Sequence, residues 1–327
     1  MSGPLKPQSQ ISEQLVRTTA ETNPEWGFVP TERPVQQLFN QGIINLDKPA
    51  NPTSHEVVAW VKKILRLPKA GHSGTLDPKV TGVLPVALGR AAKAVRVLLT
   101  APKGYVGILL LHGNSSDQLI KTIAAEFQGE IYQRPPVRSS VKRRLRTRKI
   151  YSLDVIEIED RRVLFRVSCQ AGTYIRKLCD DWGLILGVGG HMDELRRIRT
   201  GPFSEDTIVR LQDVADAAYY YFEEGDPAML RRIIQPIEVA FAHLPSIVIR
   251  DTAVDAICHG AGLSVPGVVR MSRFSIGEQV VIKTLKGEAI ALAKTTMKPQ
   301  EILNRNSGIC AMPIRVLLER GTYPRHF

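Results

Sequence analysis

The sequence is poor in cysteine and in long apolar runs, and each shortage argues against a class of protein. Only four of the 327 residues are cysteines, at positions 169, 179, 258 and 310. None forms a CxxC pair, which disfavours a zinc ribbon, and four are too few for a disulfide framework. We therefore expect a reducing compartment. The longest strongly apolar stretch, Val106–Leu111, is far shorter than the roughly 20 residues that span a bilayer.

The sequence also lacks the motifs of common cofactor, metal and export sites. It has no Walker A motif and no GxGxxG after a strand pattern, which disfavours NTP and dinucleotide cofactors. Its seven histidines form no HxH or HExxH spacing, so we expect no metal site. Residues 1–40 have no apolar core of a signal peptide. We therefore expect neither cofactor, metal nor membrane.

Positive charge is what the sequence has in excess. Lys and Arg number 44 against 32 Asp and Glu, a net charge of +12. A basic chain attracts polyanions, and nucleic acid is the commonest of these. Aromatic residues are only 6% of the chain, so stacking over a wide surface is not the expected binding mode. The 43% of hydrophobic residues is typical of a folded globular protein and excludes a mainly disordered chain.

Length and patterning predict an α+β protein with a mixed sheet, in three segments. Residues 1–40 are polar and irregular, and we expect an arm packed on the C-terminal domain. Residues 41–240 mix strand and helix patterns without regular βαβ alternation. From about Leu244, short β-rich runs punctuated by glycine predict a small, mostly β domain over residues 244–322.

Local patterns predict several elements of the middle segment. Gly42–Pro49 is typical of a strand that stops at its proline. Thr53–Glu56 has the spacing of a capping box at the start of a helix. Residues 71–90 are rich in Gly and Pro and are expected to form a loop. Leu153–Ile158 and Val163–Cys169 predict a hairpin.

Two short segments could carry chemistry. Gly71–Pro85 surrounds a single acid, Asp77, with glycines that permit unusual backbone shapes. It is either an ordinary turn or a rigid mount for a nucleophile or base. Cys169–Leu178 passes from a strand into a helix and puts Arg176 in the first turn. That arginine is either a surface side chain or a partner that holds a carboxylate ionised.

A third segment is strongly basic. Seven Lys or Arg and no acid occur between Arg138 and Lys149. A charge run is commonly only a solvated face. Here it follows Pro135–Pro136 and precedes a strand, which favours an exposed loop or strand edge. Such a loop can close on phosphates, so contact with RNA or DNA is the favoured interpretation.

Together these segments resemble the TruB-type pseudouridine synthases. No single motif would be specific, but several occur in the family's order over about half of the chain. They are the N-terminal motif Asn45–Pro49 with Thr53 and Ser54, the signature loop Gly71–Leu84, the Tyr motif Lys103–Tyr105, the segment Gln133–Lys142 that leads into the thumb loop, the Arg motif Gly172–Arg176 and the late Leu motif Leu195–Arg197.

Within that family the chain is most similar to the dyskerin-like catalytic subunits of archaeal and eukaryotic H/ACA ribonucleoproteins. Arg143–Arg148 stands where bacterial enzymes have a Tyr-Glu-x-Ala-Arg-x-Gly pattern, and Gly201–Glu205 follows the Leu motif as in that branch. The segment from Leu244 resembles a PUA domain. No Lys- and Glu-rich tail follows Phe327, which we expect of an archaeal, cytoplasmic member.

The resemblance implies an activity and a set of residues. Uridine is flipped out of the RNA, its C1′–N1 bond breaks, and the base is rejoined through C5, without cofactor or metal. A carboxylate attacks the sugar or stabilises its developing positive charge; the alternative glycal route stays open. The implied roles are Asp77 as nucleophile, Tyr105 stacking on the base and moving the C5 proton, Arg176 pairing with Asp77, Tyr174 lining the pocket, His72 filling the space of the flipped base, Leu195 closing the apolar wall and Lys48 bracing the loop.

The resemblance also implies partners. These are an H/ACA guide RNA, a target rRNA or tRNA, and Gar-type, Nop-type and kink-turn-binding ribosomal-type proteins, with no membrane. Two alternatives stay open: a stand-alone synthase that modifies the T-loop of tRNA, and a non-catalytic RNA-binding scaffold. The residues expected to bind RNA are Arg143, Arg144, Arg146 and Arg148 in a thumb loop near residues 138–149, and His259, Gly260 and Gly262 in the C-terminal domain.

Overall fold

The computed structural model describes residues 14–135 and 142–325, which fall into two compact units. One unit is Val35–Ala240, and the other combines the N-terminal segment through Pro34 with Phe241–Phe327. Residues 1–13 of the expected arm and residues 138–141 of the expected thumb loop, with Arg138, lie outside the described residues. No helix of the described residues has the length and apolar character needed to cross a bilayer.

The described residues form seventeen strands and eight α-helices, numbered in chain order. The strands are β1 Leu15–Val16, β2 Gly42–Lys48, β3 Ala70–His72, β4 Thr81–Leu88, β5 Lys103–Leu111, β6 Gly129–Gln133, β7 Arg146–Glu159, β8 Arg162–Cys169, β9 Gly190–Thr200, β10 Phe203–Ser204, β11 Gln235–Pro236, β12 Ser246–Ile249, β13 Leu263–Ser264, β14 Val268–Met271, β15 Gln279–Lys283, β16 Ala289–Thr295 and β17 Ile309–Val316. The helices are α1 Val35–Gln41, α2 Ser54–Ile64, α3 Asp117–Glu126, α4 Ile175–Ile185, α5 Leu211–Glu223, α6 Ala228–Ile233, α7 Asp251–Cys258 and α8 Pro299–Asn304.

A ten-stranded mixed sheet forms the frame of the Val35–Ala240 unit. Its order is β11-β2-β4-β9-β5-β8-β7-β6, with β3 paired to β4 and β10 paired to β9. Neighbouring strands are antiparallel except β4 and β9, which run parallel. The parallel pair arises because the chain leaves the sheet after β4 and returns several elements later as β9. Mixed strand directions with helices outside a βαβ repeat confirm the predicted α+β class.

Helix α2 begins where the sequence places it, whereas α1 forms at Val35–Gln41, which the sequence assigned largely to an irregular arm. The Thr53 hydroxyl accepts a hydrogen bond from the Glu56 amide, and the Glu56 carboxylate accepts one from the Thr53 amide. This is the predicted capping box of α2. The apolar face of α2 packs with α1, α5 and α6 over β2 and β4, so this core supports β4, the strand that follows the Asp77 loop.

The expectation of a loop over residues 71–90 is wrong in its second half. Thr81–Leu88 forms β4, in which every residue after Thr81 is buried. Pro85 argued against a strand here, because proline donates no ladder hydrogen bond and is rare in central strands. Its carbonyl still accepts a bond of 3.1 Å from the Ser73 amide. The continuous apolar run is typical of a strand covered on both faces.

The predicted hairpin is present, and its first strand is longer than expected. β7 runs from Arg146 to Glu159 and pairs with β8 along the hairpin. The first residues of β7 also pair with β6, with Arg146 opposite Gln133. The second half of the basic run therefore lies in a strand rather than in a loop.

The second unit is built on a seven-stranded sheet in the order β1-β14-β12-β15-β16-β17-β13. Its edge strand β1 comes from the N-terminal segment, where Leu15 lies opposite Met271. In the same unit, Arg33 and Glu288 are each about 1% exposed and form an ion pair of 3.6 Å. The Tyr323 hydroxyl donates a bond of 3.0 Å to Glu288. The N-terminal segment thus contributes both a strand and a buried charge to this β unit.

Candidate active site

Asp77 lies on the loop between β3 and β4, and buried groups hold this loop from below. The ammonium of Lys48, which is fully buried, donates to the carbonyls of Pro49, Pro78 and Val80 at 2.8–2.9 Å. Burial lowers the pKa of Lys48, and the charge of Arg197 lowers it further. The Ser54 hydroxyl accepts from the loop amide of Leu76 at 2.9 Å. Half-exposed Asp77 therefore stands on a rigid base.

The end of this loop depends on the absence of a side chain at Gly82. Gly82 has φ +99°, and a Cβ there would lie 2.2 Å from the carbonyl oxygen of Arg197 on the neighbouring strand β9. Both the backbone conformation and the close approach therefore require glycine.

Arg176 meets Asp77 from the first turn of α4. Its Nη2 and the Asp77 Oδ2 form an ion pair, with each side chain about half exposed. The contact joins one nitrogen to one oxygen. Gln133 positions the start of α4, because its side-chain amide accepts from the Tyr174 amide and donates to the Tyr174 carbonyl at 2.9 and 3.1 Å. The half-buried Tyr174 side chain thus begins from a fixed backbone.

Tyr105 lies on β5, in register with Arg197 on β9. Burial raises the pKa of the Tyr105 hydroxyl, and the nearby charge of Arg197 opposes this rise. The Arg197 side chain lies opposite Tyr105 across the β5–β9 ladder and contacts this hydroxyl. It also donates from Nε to the Val83 carbonyl at 2.7 Å and from Nη2 to the Gly74 carbonyl at 3.4 Å. Arg197 therefore links Tyr105 to both ends of the Asp77 loop.

His72 and Leu195 lie on neighbouring parts of the same sheet. The Nδ1 of His72 accepts from the Gly74 amide at 3.3 Å, and its ring packs edge-on against His55 at 4.9 Å between centroids. Burial lowers the pKa of His72, as do the charges of His55 and Arg197, and this favours the neutral imidazole. Leu195 is half-buried and packs on the core under β5 and β8.

Asp77, Arg176 and the buried Lys48 meet at one loop, and Tyr105 and His72 reach the same loop through Arg197 and Gly74. The residues that sequence reasoning missed are Arg197, Ser54 and Gln133. Arg197 was visible only as the last position of the Leu motif, with nothing to distinguish it from the exposed arginines nearby. Arg197 is only about 1% exposed, because it is packed within the sheet.

The basic run lies beside the start of α4. Arg143 and Arg144 are exposed, whereas Arg146 and Arg148 are half-buried in β7. The guanidinium of Arg148 lies so near Gly172 that a Cβ at this glycine would be 3.2 Å from its Nη2. In residues 14–135 and 142–325, no salt bridge to a carboxylate is found for these four arginines. Their charges therefore remain available to an anion.

In the second unit, the residues expected to bind RNA follow α7. The Nδ1 of His259 lies 2.9 Å from the Asp255 carbonyl, and Gly260 turns the chain with φ +90°. A Cβ on Gly262 would lie 2.8 Å from both Ile309 and Met312. Gly262 also lines an open cavity of about 550 Å³, together with Arg17, Arg250, Thr252, Ala253, Ala256, Ile257, Leu263, Ser264, Pro266 and Gly267.

The described residues contain no cluster of three or more His, Cys, Asp or Glu side chains that could hold a metal ion. The side chains gathered at the Asp77 loop are instead one carboxylate, one phenol and several cations. Such a set can stabilise positive charge on a sugar, hold a flat base and move a proton.

Four family models match the chain. They are the TruB family pseudouridylate synthase N-terminal domain at residues 62–175, the tRNA pseudouridylate synthase B C-terminal domain at 176–242, the DKCLD (NUC011) domain at 6–58 and the PUA domain at 245–317. The synthase models cover the Asp77 loop, Tyr105 and Arg176.

Whole-length comparisons agree with these models. The chain is 56% identical over 322 residues to the probable tRNA pseudouridine synthase B of Methanopyrus kandleri, covering 98% of this chain and 95% of that protein. It matches a chain of a Cbf5-Nop10-Gar1 complex with a TM-score of 0.92 and 52% identity, covering 96% and 97%. It matches an H/ACA RNP bound to a substrate RNA containing 2′-deoxyuridine with a TM-score of 0.92 and 49% identity, covering 98% and 99%.

Proposed function

Because the chain belongs to the TruB family of pseudouridine synthases, we propose that it is the catalytic subunit of an RNA-guided H/ACA ribonucleoprotein. It isomerises uridine to pseudouridine in rRNA during ribosome biogenesis. The supporting observation is the Asp77–Arg176 pair on a loop anchored by buried Lys48, in a chain that matches a protein of a substrate-bound H/ACA RNP over 98% of its length.

Asp77 is the nucleophile of this reaction. As the C1′–N1 bond of the flipped uridine breaks, positive charge develops on the sugar, and the Asp77 carboxylate attacks C1′ or stabilises that charge. Arg176 forms an ion pair with this carboxylate and directs it to the sugar. Lys48 does not contact the substrate in this scheme. It fixes the position of the Asp77 loop by donating to the Pro78 and Val80 carbonyls.

The remaining site residues hold the base. Tyr105 stacks on uracil and carries the proton that leaves C5, and Tyr174 and Leu195 line the same pocket. His72 occupies the space that the flipped uridine leaves in the RNA. The lowered pKa of His72 favours the neutral imidazole, and a flat histidine ring can stack on RNA bases.

The two units divide the RNA between them, with a catalytic domain over 41–240 and a PUA domain over 244–322. Of the expected 1–40 arm, residues 14–34 belong to the unit of the PUA domain, whereas Val35–Gln41 forms α1 in the other unit. Substrate enters and leaves in every cycle, which suits the adjustable phosphate contacts of Arg143, Arg144, Arg146 and Arg148. The guide stays bound, which suits the shaped cavity beside Gly262. His259 and Gly260 lie at the same end of α7.

The protein partners of this chain follow from its relatives. A solved relative assembles with Nop10 and Gar1, so this chain takes a Nop-type and a Gar-type protein, and with them a kink-turn-binding ribosomal-type protein. Its relatives include a protein of the archaeon Methanopyrus kandleri, and an archaeal cell has no nucleus. We therefore place this chain in the archaeal cytoplasm.

A second candidate function is stand-alone modification of the T-loop of tRNA. The full-length relative carries the name tRNA pseudouridine synthase B, and the described active site needs no guide to be assembled. Both activities can coexist, because the same pocket would receive the flipped uridine.

Release of tritium from C5-labelled uridine distinguishes these functions. The purified chain, with its partner proteins, is given a guide-complementary RNA with and without guide RNA, and separately an unmodified tRNA. We expect release from the complementary RNA only when guide is present. Release from tRNA alone would assign the chain to the stand-alone class, and release from neither RNA would leave the scaffold alternative.

A further inference from the structure

Arg197 is a buried cation without a carboxylate partner. It is about 1% exposed, and no salt bridge joins it to an acid of the described chain. Burial lowers its pKa, and contact with Tyr105 opposes that shift. Burying an unpaired charge is costly. The carbonyls of Val83 and Gly74 accept hydrogen bonds from only two sides of the guanidinium. The Tyr105 hydroxyl lies on the third side.

A guanidinium beside a hydroxyl can contact it only as a hydrogen-bond donor. Arginine has five N–H donors and no acceptor, so the Tyr105 oxygen must accept. The phenolic proton then points away from Arg197. Among the residues that the structure describes, Tyr105 donates no side-chain hydrogen bond to another protein group. Its proton is therefore left for a group outside the protein.

We infer that Arg197 is a positioning residue that directs the Tyr105 proton toward the bound uracil and stabilises the phenolate left when that proton is given. This inference rests on the proposed function, since it assumes that uridine is the substrate. Breaking the C1′–N1 bond leaves uracil with negative charge shared between N1 and O2, and Tyr105 gives its proton to N1. After C5 bonds to C1′, the phenolate removes the C5 proton, which restores Tyr105.

The proton balance of this scheme is complete. Uridine has a hydrogen on C5 and none on N1, and pseudouridine has the reverse, so one proton given and one taken convert the first into the second. No other acid is needed, and the transient charge on Tyr105 lies beside a fixed cation. Such preorganised charge is the commonest large contribution to catalysis.

A neighbouring lysine provides a matched control. Lys103 precedes Tyr105 by two residues on β5 and is also buried. Its ammonium donates to the carbonyls of Leu98, Leu99 and Ala101, and burial lowers its pKa to about 8. It makes no hydrogen bond to Tyr105, so it tests the loss of a buried cation alone.

A double-mutant cycle in the assembled ribonucleoprotein tests the coupling. We expect Tyr105→Phe and Arg197→Gln each to slow single-turnover isomerisation by about 100-fold or more. In the Tyr105→Phe background, Arg197→Gln should cost less than about 3-fold further, since its target hydroxyl is gone. Multiplying effects would overturn the inference, because Arg197 would then act on the loop and not on Tyr105.

The pH profile gives a readout that a purely structural role would not move. Arg197 lowers the pKa of Tyr105, so its loss should shift the alkaline fall of the rate to higher pH. Lys103→Gln should leave that limb in place. If the rate of Arg197→Gln falls at the same alkaline pH as that of the parent, the proposal is contradicted.

Two further measurements keep the result interpretable. If Arg197→Gln does not fold, as judged by circular dichroism and guide affinity, Arg197→Lys is used in both backgrounds and the same coupling is expected. Pseudouridine formation by the parent complex is measured in parallel. A parent complex without activity refutes the proposed function, whereas an active parent with uncoupled variants refutes only the role of Arg197.

Discussion

At the scale of the residue, the candidate site depends on one acid. Asp77 is the single carboxylate of the loop, and Arg176 is its ion-pair partner. We expect Asp77→Asn to reduce turnover by about 1,000-fold or more while guide affinity stays near the parent's, because the amide is isosteric and lacks the charge that the sugar cation needs.

The exposed turn residue Asp160, with φ +52°, provides a matched control for this change. Asp160→Asn makes the same chemical substitution where asparagine is well tolerated, and it should leave turnover unchanged. Asp77→Asn with a rate near the parent's would remove Asp77 from the mechanism.

The partner of Asp77 gives a second prediction. Arg176→Ala should slow turnover strongly, and Arg176→Lys should restore only part of the rate. Lysine keeps the charge but lacks the planar guanidinium that reaches the carboxylate in a fixed orientation. Single-turnover rates of the three proteins check this, and full activity in Arg176→Lys would show that charge alone is required.

Sequence motifs predicted the contact between Asp77 and Arg176, but not the buried residues that hold the site in place. The pairing of Asp77 with Arg176 was implied by the resemblance of their two segments to family motifs, and the two side chains form an ion pair. The role of Arg197 could not be predicted, since an arginine in a strand is normally exposed and only the packing of β9 between β4 and β5 buries it. The same limit applies to Gln133, whose partner Tyr174 is distant in sequence.

At the scale of the element, the approach of β4 to β9 requires glycine. Gly82→Ala should lower the thermal midpoint and slow turnover, because the new Cβ would overlap the Arg197 carbonyl. Gly129 also has a positive φ, +113°, but nothing lies within 4 Å of a Cβ placed there.

Gly129→Ala therefore isolates the cost of backbone strain, of about 1 kcal/mol. Melting curves of the two variants should differ by clearly more than this. Equal losses would show that the β4–β9 contact yields without cost.

The basic strand edge gives a prediction about substrate RNA. Changing Arg143, Arg144, Arg146 and Arg148 together to Gln should slow turnover and flatten its salt dependence. Each lost phosphate contact lowers the slope of log K against log salt by about 0.7–0.9. Guide affinity should change little, and binding of labelled guide and labelled substrate checks both parts.

A control with the same change in charge uses the exposed residues Lys62, Lys63, Arg231 and Arg232 of the same unit. Their replacement by Gln should leave the salt slope near the parent's. If the four-Arg variant instead loses guide affinity with normal turnover, the division of RNA between the units is wrong.

The elements differ in how far their sequences predict them. The capping box of α2 and the hairpin of β7 and β8 follow from local chemistry and were correctly predicted. β4 was missed because Gly and Pro usually mark turns and loops. Here Gly82 is required by the close approach to Arg197, and Pro85 lies in a strand that is buried along its length.

At the scale of the whole molecule, the N-terminal segment completes the C-terminal β unit. Arg33 and Glu288 are both buried in this unit. Arg33→Met should destabilise it by about 3–5 kcal/mol, because a buried carboxylate loses its cation. Adding Glu288→Gln should recover much of that loss, and thermal melts of the three variants test this. A further loss in the double variant would contradict the pairing.

Composition anticipated the polyanion partner, and an N-terminal arm was expected to pack on the C-terminal domain, but the edge strand β1 within that arm was not predicted. Sequence patterns are local, whereas the pairing of β1 with β14 joins strands about 250 residues apart. Such contacts become visible only when the sheet is assembled.

The central claim is that this chain makes pseudouridine at a position chosen by a guide RNA. The most direct measurement is to map pseudouridine in one target RNA after reaction with two guides that pair at different places. We expect the modified uridine to move with the guide and both products to vanish in Asp77→Asn. Modification of the same uridine with either guide, or with none, would contradict the claim.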